Sequence, residues 1–114
     1  MPNLRQVGAE AEDRAAEFLL NLGYTVVTRR FKSSRGEIDI VALDGSTLVF
    51  VEVKFRRSAV NVPEEAVSAK KIAHFACAAD EYMQKTGMTE SPVRFDLVAV
   101  TPTELRHHIN AFRP

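Results

Sequence analysis

Residues 36–54 read Gly-Glu-Ile-Asp-Ile-Val-Ala-Leu-Asp-Gly-Ser-Thr-Leu-Val-Phe-Val-Glu-Val-Lys, two apolar runs joined at Asp44-Gly45. An Asp-Gly pair between alternating apolar residues is a strong hairpin signal. Strand side chains alternate faces, so Glu37 and Asp39 project together from the first strand, and Glu52 and Lys54 from the second. Ile38, Ile40, Ala42, Val49, Val51 and Val53 make the opposite face a core face. Toward the turn the charged face is itself apolar, with Val41, Leu43, Leu48 and Phe50, so both faces are expected to be covered and the charges to collect at the rim. A two-residue loop would pair Asp39 with Phe50 and Glu37 with Glu52. A four-residue loop, Asp44 to Thr47, would pair Asp39 with Glu52. Opposite neighbours lie roughly 5 Å apart and diagonal ones roughly 7–8 Å.

At either spacing two carboxylates can share a hard divalent cation, and a lysine beside them can orient or deprotonate a water. The plainer account is a half-exposed strand pair with ordinary surface charges. Against it, opposed like charges destabilise a sheet, and carboxylates at the rim of a covered region are costly unless paired or ion-bound.

At 114 residues, 46% hydrophobic and 26% charged, the chain reads as one soluble domain. It holds no run of about 18 apolar residues, and no membrane span is expected. The N-terminal residues lack an apolar signal region, which predicts a cytoplasmic location. The single cysteine, Cys77, excludes an internal disulfide and a cysteine zinc cage. Net charge is zero, yet residues 29–71 carry nine of the fifteen basic groups. Arg29, Arg30, Arg35, Arg56, Arg57 and Lys71 belong to this set and would face a phosphodiester backbone if the carboxylates held a metal. For any one of them, simple solubilisation is a fair alternative.

The rest of the chain supplies the frame. Residues 8–22 carry Ala11, Ala15, Phe18, Leu19 and Leu22 at helical spacing, closed by Gly23. Tyr24 to Thr28 reads as a strand and Arg29 to Arg35 as a basic loop. After a loop from Ser58 to Val62, Pro63 suits the first turn of a helix. That helix, whole or in two pieces, runs to about Lys85, with Ile72, Phe75, Ala76, Ala79 and Met83 as its apolar stripe. Val93 to Val100 is a strand, and a short last strand spans about Glu104 to Ile109. The order α-β-β-β-α-β-β implies an α/β domain with a mixed sheet and a parallel crossover after the hairpin.

The order, with Asp39 followed by Glu52-Val53-Lys54, resembles the PD-(D/E)XK nuclease core of restriction endonucleases and Holliday-junction resolvases. Gly8-x-x-x-Glu12, Leu22-Gly23-Tyr24, Gly36-Glu37-Ile38-Asp39, Val49 to Lys54, Glu65-Ala66-Val67, Lys71, Arg94-Phe95-Asp96 and Asn110-Ala111-Phe112 together resemble the YraN family of bacterial proteins over nearly the whole length. The resemblance implies that Asp39 and Glu52, with the Val53 carbonyl, hold Mg²⁺ (Mn²⁺ as a substitute), that Lys54 orients or activates the attacking water, and that Glu12 approaches the metal. It implies a phosphate contact for Lys71 and leaves Glu37 without a clear role. Two positions depart from the family pattern: Ala11 stands where glycine is usual, and Phe55 where a small polar residue is usual.

The reading is a metal-dependent nuclease acting on nucleic acid, DNA by preference and branched DNA in particular, with a homodimer as an attractive assembly. The alternative is a non-catalytic nucleic-acid-binding module on the same fold, which would need the arginines and not the carboxylates. A carboxylate-pair glycoside hydrolase ranks far below, because the chain has no tryptophan and few aromatics to stack on a sugar. His74, His107 and His108 read as surface or strand histidines rather than ligands. Glu12 has a second account, as one of several acids favouring a helix N-terminus.

Overall fold

The computed structural model describes residues 4–57 and 68–113. The elements are α1 (Leu4–Asn21), β1 (Thr25–Lys32), β2 (Glu37–Asp44), β3 (Thr47–Phe55), α2 (Ala69–Thr86), β4 (Val93–Val100) and β5 (Leu105–His108). The five strands form one sheet in the order β1-β2-β3-β4-β5. β3 and β4 are parallel and the other neighbours antiparallel, as a strand–helix–strand crossover requires. This is the mixed-sheet, restriction-endonuclease-like α/β domain expected. The predicted loop from Ser58 to Val62 and the helix start at Pro63 lie outside the described residues.

Each face of the sheet is sealed by one helix. Under α1, Ala11, Ala15 and Leu19 pack on Ile40, Ala42, Val49, Val51, Val98 and Val100. Under α2, Phe75, Ala78, Ala79 and Tyr82 pack on Ile38, Val41, Leu48 and Phe50. Tyr82, rather than Ala76, completes the buried stripe of α2. Its ring meets Phe31 and Phe50 edge-on, so a residue with a polar tip buries its apolar body. α2 is capped at Ser68, whose hydroxyl accepts from the Lys71 N–H at 3.1 Å, and it ends at Gly87 in the left-handed conformation (φ 71°).

The hairpin adopts the register predicted for the longer loop. Leu43 pairs with Leu48 and Ile40 with Val51, but Asp44 and Thr47 also pair, so only Gly45 and Ser46 form the loop. Gly45 has φ 61°, a conformation a side chain would strain. The pairing ends at Ile40 and Val51, one residue short of Asp39 and Glu52.

Three expectations are corrected. First, α1 begins at Leu4 rather than residue 8. Glu12 therefore sits in mid-helix, and the helix N-terminus account of it fails. Second, the basic stretch after Thr28 is not a loop: β1 runs to Lys32, pairing Arg29 with Ile40, Phe31 with Ile38 and Lys32 with Glu37. Third, Ile38 does not share a face with Ile40; it lies under α2 while Ile40 lies under α1. The alternation of β1 breaks at the same level of the sheet. Arg30, between the paired residues Arg29 and Phe31, has φ 56°, a left-handed conformation rare for any residue but glycine. One such residue breaks the strict alternation of a strand. Arg29 and Arg30 both turn to the α1 side, and Phe31 and Ile38 both turn to the α2 side.

Candidate functional site

The charged ends of β2 and β3 meet at the rim of the sheet. Asp39 Oδ2 accepts the Val53 N–H at 2.8 Å, which ties the carboxylate to the backbone of the neighbouring strand. Glu52 is 6% exposed, and its Oε1 pairs with Lys71 Nζ of α2 at 2.8 Å. Burial is the largest influence on Asp39 and the nearby Glu52 charge the next. Together they outweigh the Val53 N–H and raise its carboxyl from 3.8 to about 7. Lys54 is held below its ordinary value, first by burial and then by Arg56 and Lys71, with Glu52 opposing. An acid that stays half protonated near neutrality and a lysine pushed toward its neutral form are a pattern concentrated at working sites.

Asp39 and Glu37 line two cavities. One, of about 400 Å³, opens on the α2 side and is also lined by Glu52, Arg35, Lys71 and His74. The other, of about 500 Å³, opens on the α1 side and is lined by Glu12, Arg30, Lys32, Val53 and Phe55. Thus the structure brings Asp39, Glu52, Arg35 and Lys71 around one opening. His74, read as a surface or strand histidine, is a half-buried helix residue on its wall. The sequence signal was its position three residues after Lys71, one helical turn along the same face.

Glu12 is 6% exposed and occupied by arginines. Its Oε1 accepts from Arg29 Nε at 3.0 Å and from Arg30 Nε at 3.3 Å, and Arg29 also reaches Asp13 at 2.6 Å. The Glu12 charge still reaches Asp39 and adds to the rise of its carboxyl. Arg56 hydrogen-bonds its neighbour's carbonyl, Phe55 O, at 3.1 Å, and Arg57 is exposed. Both follow Lys54 at the end of β3 and line neither cavity. Among the described residues no three His, Cys, Asp or Glu side chains stand grouped for a metal ion. Asp39 and Glu52 are the two carboxylates that meet at the rim. As a pair they fit the chemistry of Mg²⁺, which takes one or two protein carboxylates and keeps its waters.

A second polar cluster went unassigned in the sequence. Asp96 of β4 is fully buried. It accepts two bonds from Arg94, each 2.9 Å, and one from the Asn110 N–H at 2.9 Å, and His107 Nε2 stands 2.7 Å from it. Arg94 also reaches Asp44 at 2.9 Å and the Tyr24 hydroxyl at 2.8 Å. Burial pushes the Asp96 carboxyl up, but the bonds from His107, Arg94 and Asn110 outweigh it and hold it below the usual range. Arg94 and Asp96, two apart in an otherwise apolar strand, could have flagged this cluster, since buried charges must be paired.

Comparison with known proteins agrees with the motif reading. Residues 11–100 match the model of an uncharacterised protein family, UPF0102. A UPF0102 protein of Persephonella marina is 40% identical over 106 residues, covering 92% of this chain and 91% of the relative. One from Symbiobacterium thermophilum is 46% identical over 99 residues, covering 86% and 84%. One from Geobacter sulfurreducens is 42% identical over 112 residues, covering 93% and 88%. Similarity at this level along almost the whole domain leaves one conclusion: the chain belongs to the UPF0102 (YraN) family.

Proposed function

We propose that this protein is a metal-dependent nuclease that hydrolyses phosphodiester bonds of nucleic acid at the Asp39–Glu52 rim. The observation that carries the reading is geometric: Asp39, tied to the Val53 N–H at 2.8 Å, and buried Glu52 line one cavity walled by Arg35 and Lys71. Asp39, Glu52 and the Val53 carbonyl would hold Mg²⁺, or Mn²⁺ in its place. The bound cation would lower the pKa of its water and stabilise negative charge on the phosphoryl oxygens.

The chain's own residues supply the rest. The Val53 N–H fixes one oxygen of Asp39, and Asp39 lines the cavity. Lys71 neutralises Glu52; with a cation held at that carboxylate, its ammonium would be left to contact a phosphate oxygen. Arg35 offers a second positive contact on the same wall. Lys54, with its proton loosened by burial and by Arg56 and Lys71, can orient the attacking water or accept its proton. Branched DNA is the preferred substrate under this reading.

The Glu52–Lys71 pair also favours a second reading, a binding module whose acid is permanently neutralised by its lysine. One experiment separates the two: cleavage of labelled single strand, duplex, flap and four-way junction with Mg²⁺ or Mn²⁺, by wild type, Glu52→Ala and Lys54→Ala. Metal-dependent cutting lost in both variants is expected. Binding of the same DNAs without cutting, unchanged in Glu52→Ala, would leave only the module.

A further inference from the structure

The α1-side cavity lacks Glu52 but is lined by Val53, and it shares Asp39 and Glu37 with the α2-side cavity. Its walls are unlike. α1 contributes Gly8, Ala9 and Ala11, and nothing lies within 4 Å of where a Gly8 side chain would begin, so this wall is low and open. Phe55, last residue of β3, also lines the cavity, half buried and packed on the α1-side core. So do Lys32, exposed, and Arg30, whose Nε is held by Glu12 while its side chain stays 54% exposed. Three acids share the lining, Glu12, Glu37 and Asp39; Glu12 is closed on Arg29 and Arg30, and Glu37 and Asp39 lie where the two cavities meet. The parts a nucleotide could use are the aromatic ring, for a base, and the exposed cationic side chains, for a phosphate. Its volume, about 500 Å³, lies in the range of small-ligand pockets.

We propose that this cavity is a second nucleotide subsite, in which a base flanking the phosphodiester at Asp39 and Glu52 stacks on Phe55 while its phosphate faces Lys32 and Arg30. The inference rests on the reading that the rim takes a phosphodiester, and it names what that reading leaves open. The chain of nucleotides crosses the rim from the α2 side to the α1 side at the shared residues Glu37 and Asp39. A base held against Phe55 has left its neighbours in the stack, so the site selects unpaired nucleotides beside the cut. That selectivity follows from the tertiary structure, because it needs the Arg30 kink to set Arg29 and Arg30 on the same side as Phe55.

The test uses binding in the absence of divalent metal, where no cutting occurs. The chain has no tryptophan, so Phe55→Trp places its one indole in the cavity, read apart from the two tyrosines by exciting at the red edge. A short single-stranded oligodeoxynucleotide should quench it, and a blunt duplex of the same sequence should not. Phe55→Leu keeps the apolar contact with the core and removes the aromatic ring. It should weaken single-strand binding by roughly five- to a hundredfold, the effect of losing one base stack of ~1–3 kcal/mol at 1.4 kcal/mol per tenfold, and leave duplex binding within about twofold. If the oligonucleotide binds the Phe55→Trp protein without quenching its indole fluorescence, or binds the leucine variant as well as wild type, the subsite is overturned and the nuclease reading stands. If wild type binds neither single strand nor duplex, with Mg²⁺ or without it, the phosphodiester reading itself falls, and the subsite with it.

Discussion

Two aspartates of one sheet, Asp96, fully buried, and Asp39, half-buried, end with opposite chemistry. Asp96 is surrounded by donors: Arg94, His107 and the Asn110 N–H. These overcome burial and hold its carboxyl low. Asp39 has one backbone donor and two acids for company. Burial and Glu52 lead, Glu12 adds, and its carboxyl is held near 7. A carboxylate whose bonds are all met has no capacity left for a ligand, whereas one left short of partners is poised to take a cation. The Asp96 cluster ties β4 to β5 and to the segment that follows, and it reaches back to Tyr24 and Asp44. The Asp39 site is built from the same residue type with its compensation withheld.

The comparison can be broken most forcefully at Asp96. Asp96→Ala leaves the Arg94 guanidinium part-buried beside a void, and should cost about 3–5 kcal/mol in denaturant unfolding. A loss below about 1 kcal/mol would show that the cluster is not structural. The wild type should also lose stability in acid, because a lowered carboxyl pKa contributes stability above the unfolded value that disappears as pH falls through the folded one. Next in size is the response to metal. Mg²⁺ at a hundred times its dissociation constant should stabilise the wild type by about 2.7 kcal/mol, seen as a rise in Tm. The rise should vanish in Asp39→Ala and in Glu52→Ala, and shrink at pH 6, where a proton occupies Asp39. An equal rise in both variants would place the cation elsewhere.

Smaller still is the effect of the raised Asp39 itself. The folded state binds its extra proton between about pH 4 and 7, so this residue makes stability fall as pH rises through that window. Asp39→Asn should flatten the fall and exceed wild type at pH 8. The full shift corresponds to roughly 4 kcal/mol, and solvent in the open cavities reduces the expected gain to about 1–2 kcal/mol. A variant less stable than wild type at pH 8 would mean that the carboxylate is well compensated. The smallest effect is expected at Glu12. Its arginine partners are largely exposed and can return to water, so Glu12→Gln should cost about 1 kcal/mol and leave the Mg²⁺-induced rise in Tm intact. Loss of that rise would move Glu12 among the metal ligands.

Much of the fold was legible because its signals are local. The Asp-Gly turn, the alternating apolar residues of β2 and β3 and the 3.6-residue stripe of α1 each fix an element from neighbours in sequence. Register was legible only to a choice of two, since both loops kept Asp39, Glu52 and Lys54 on one face. What misled was charge. Arg29-Arg30-Phe31-Lys32 looks like a loop because strands rarely hold three cations, and it becomes a strand because β2 supplies its hydrogen bonds. In sequence, the hydroxyl of Tyr82 disguises a ring that is buried, and His74 stands without a second histidine at helical spacing. The partners that give these two their places, Phe31, Phe50 and the rim cavity, are distant along the chain.

The sequence by itself determined the order of elements, the family and the candidate trio Asp39, Glu52 and Lys54, since these depend on residue types at fixed short spacings. Tertiary structure decided which charges are spent and which remain available. Glu12 closes on Arg29 and Arg30, Asp96 on Arg94 and His107, and Glu52 on Lys71, while Asp39 keeps a carboxyl near 7. The physical reason is that a side chain's protonation and partners are set by what surrounds it within a few ångströms. In a folded chain those neighbours come from segments far apart in sequence.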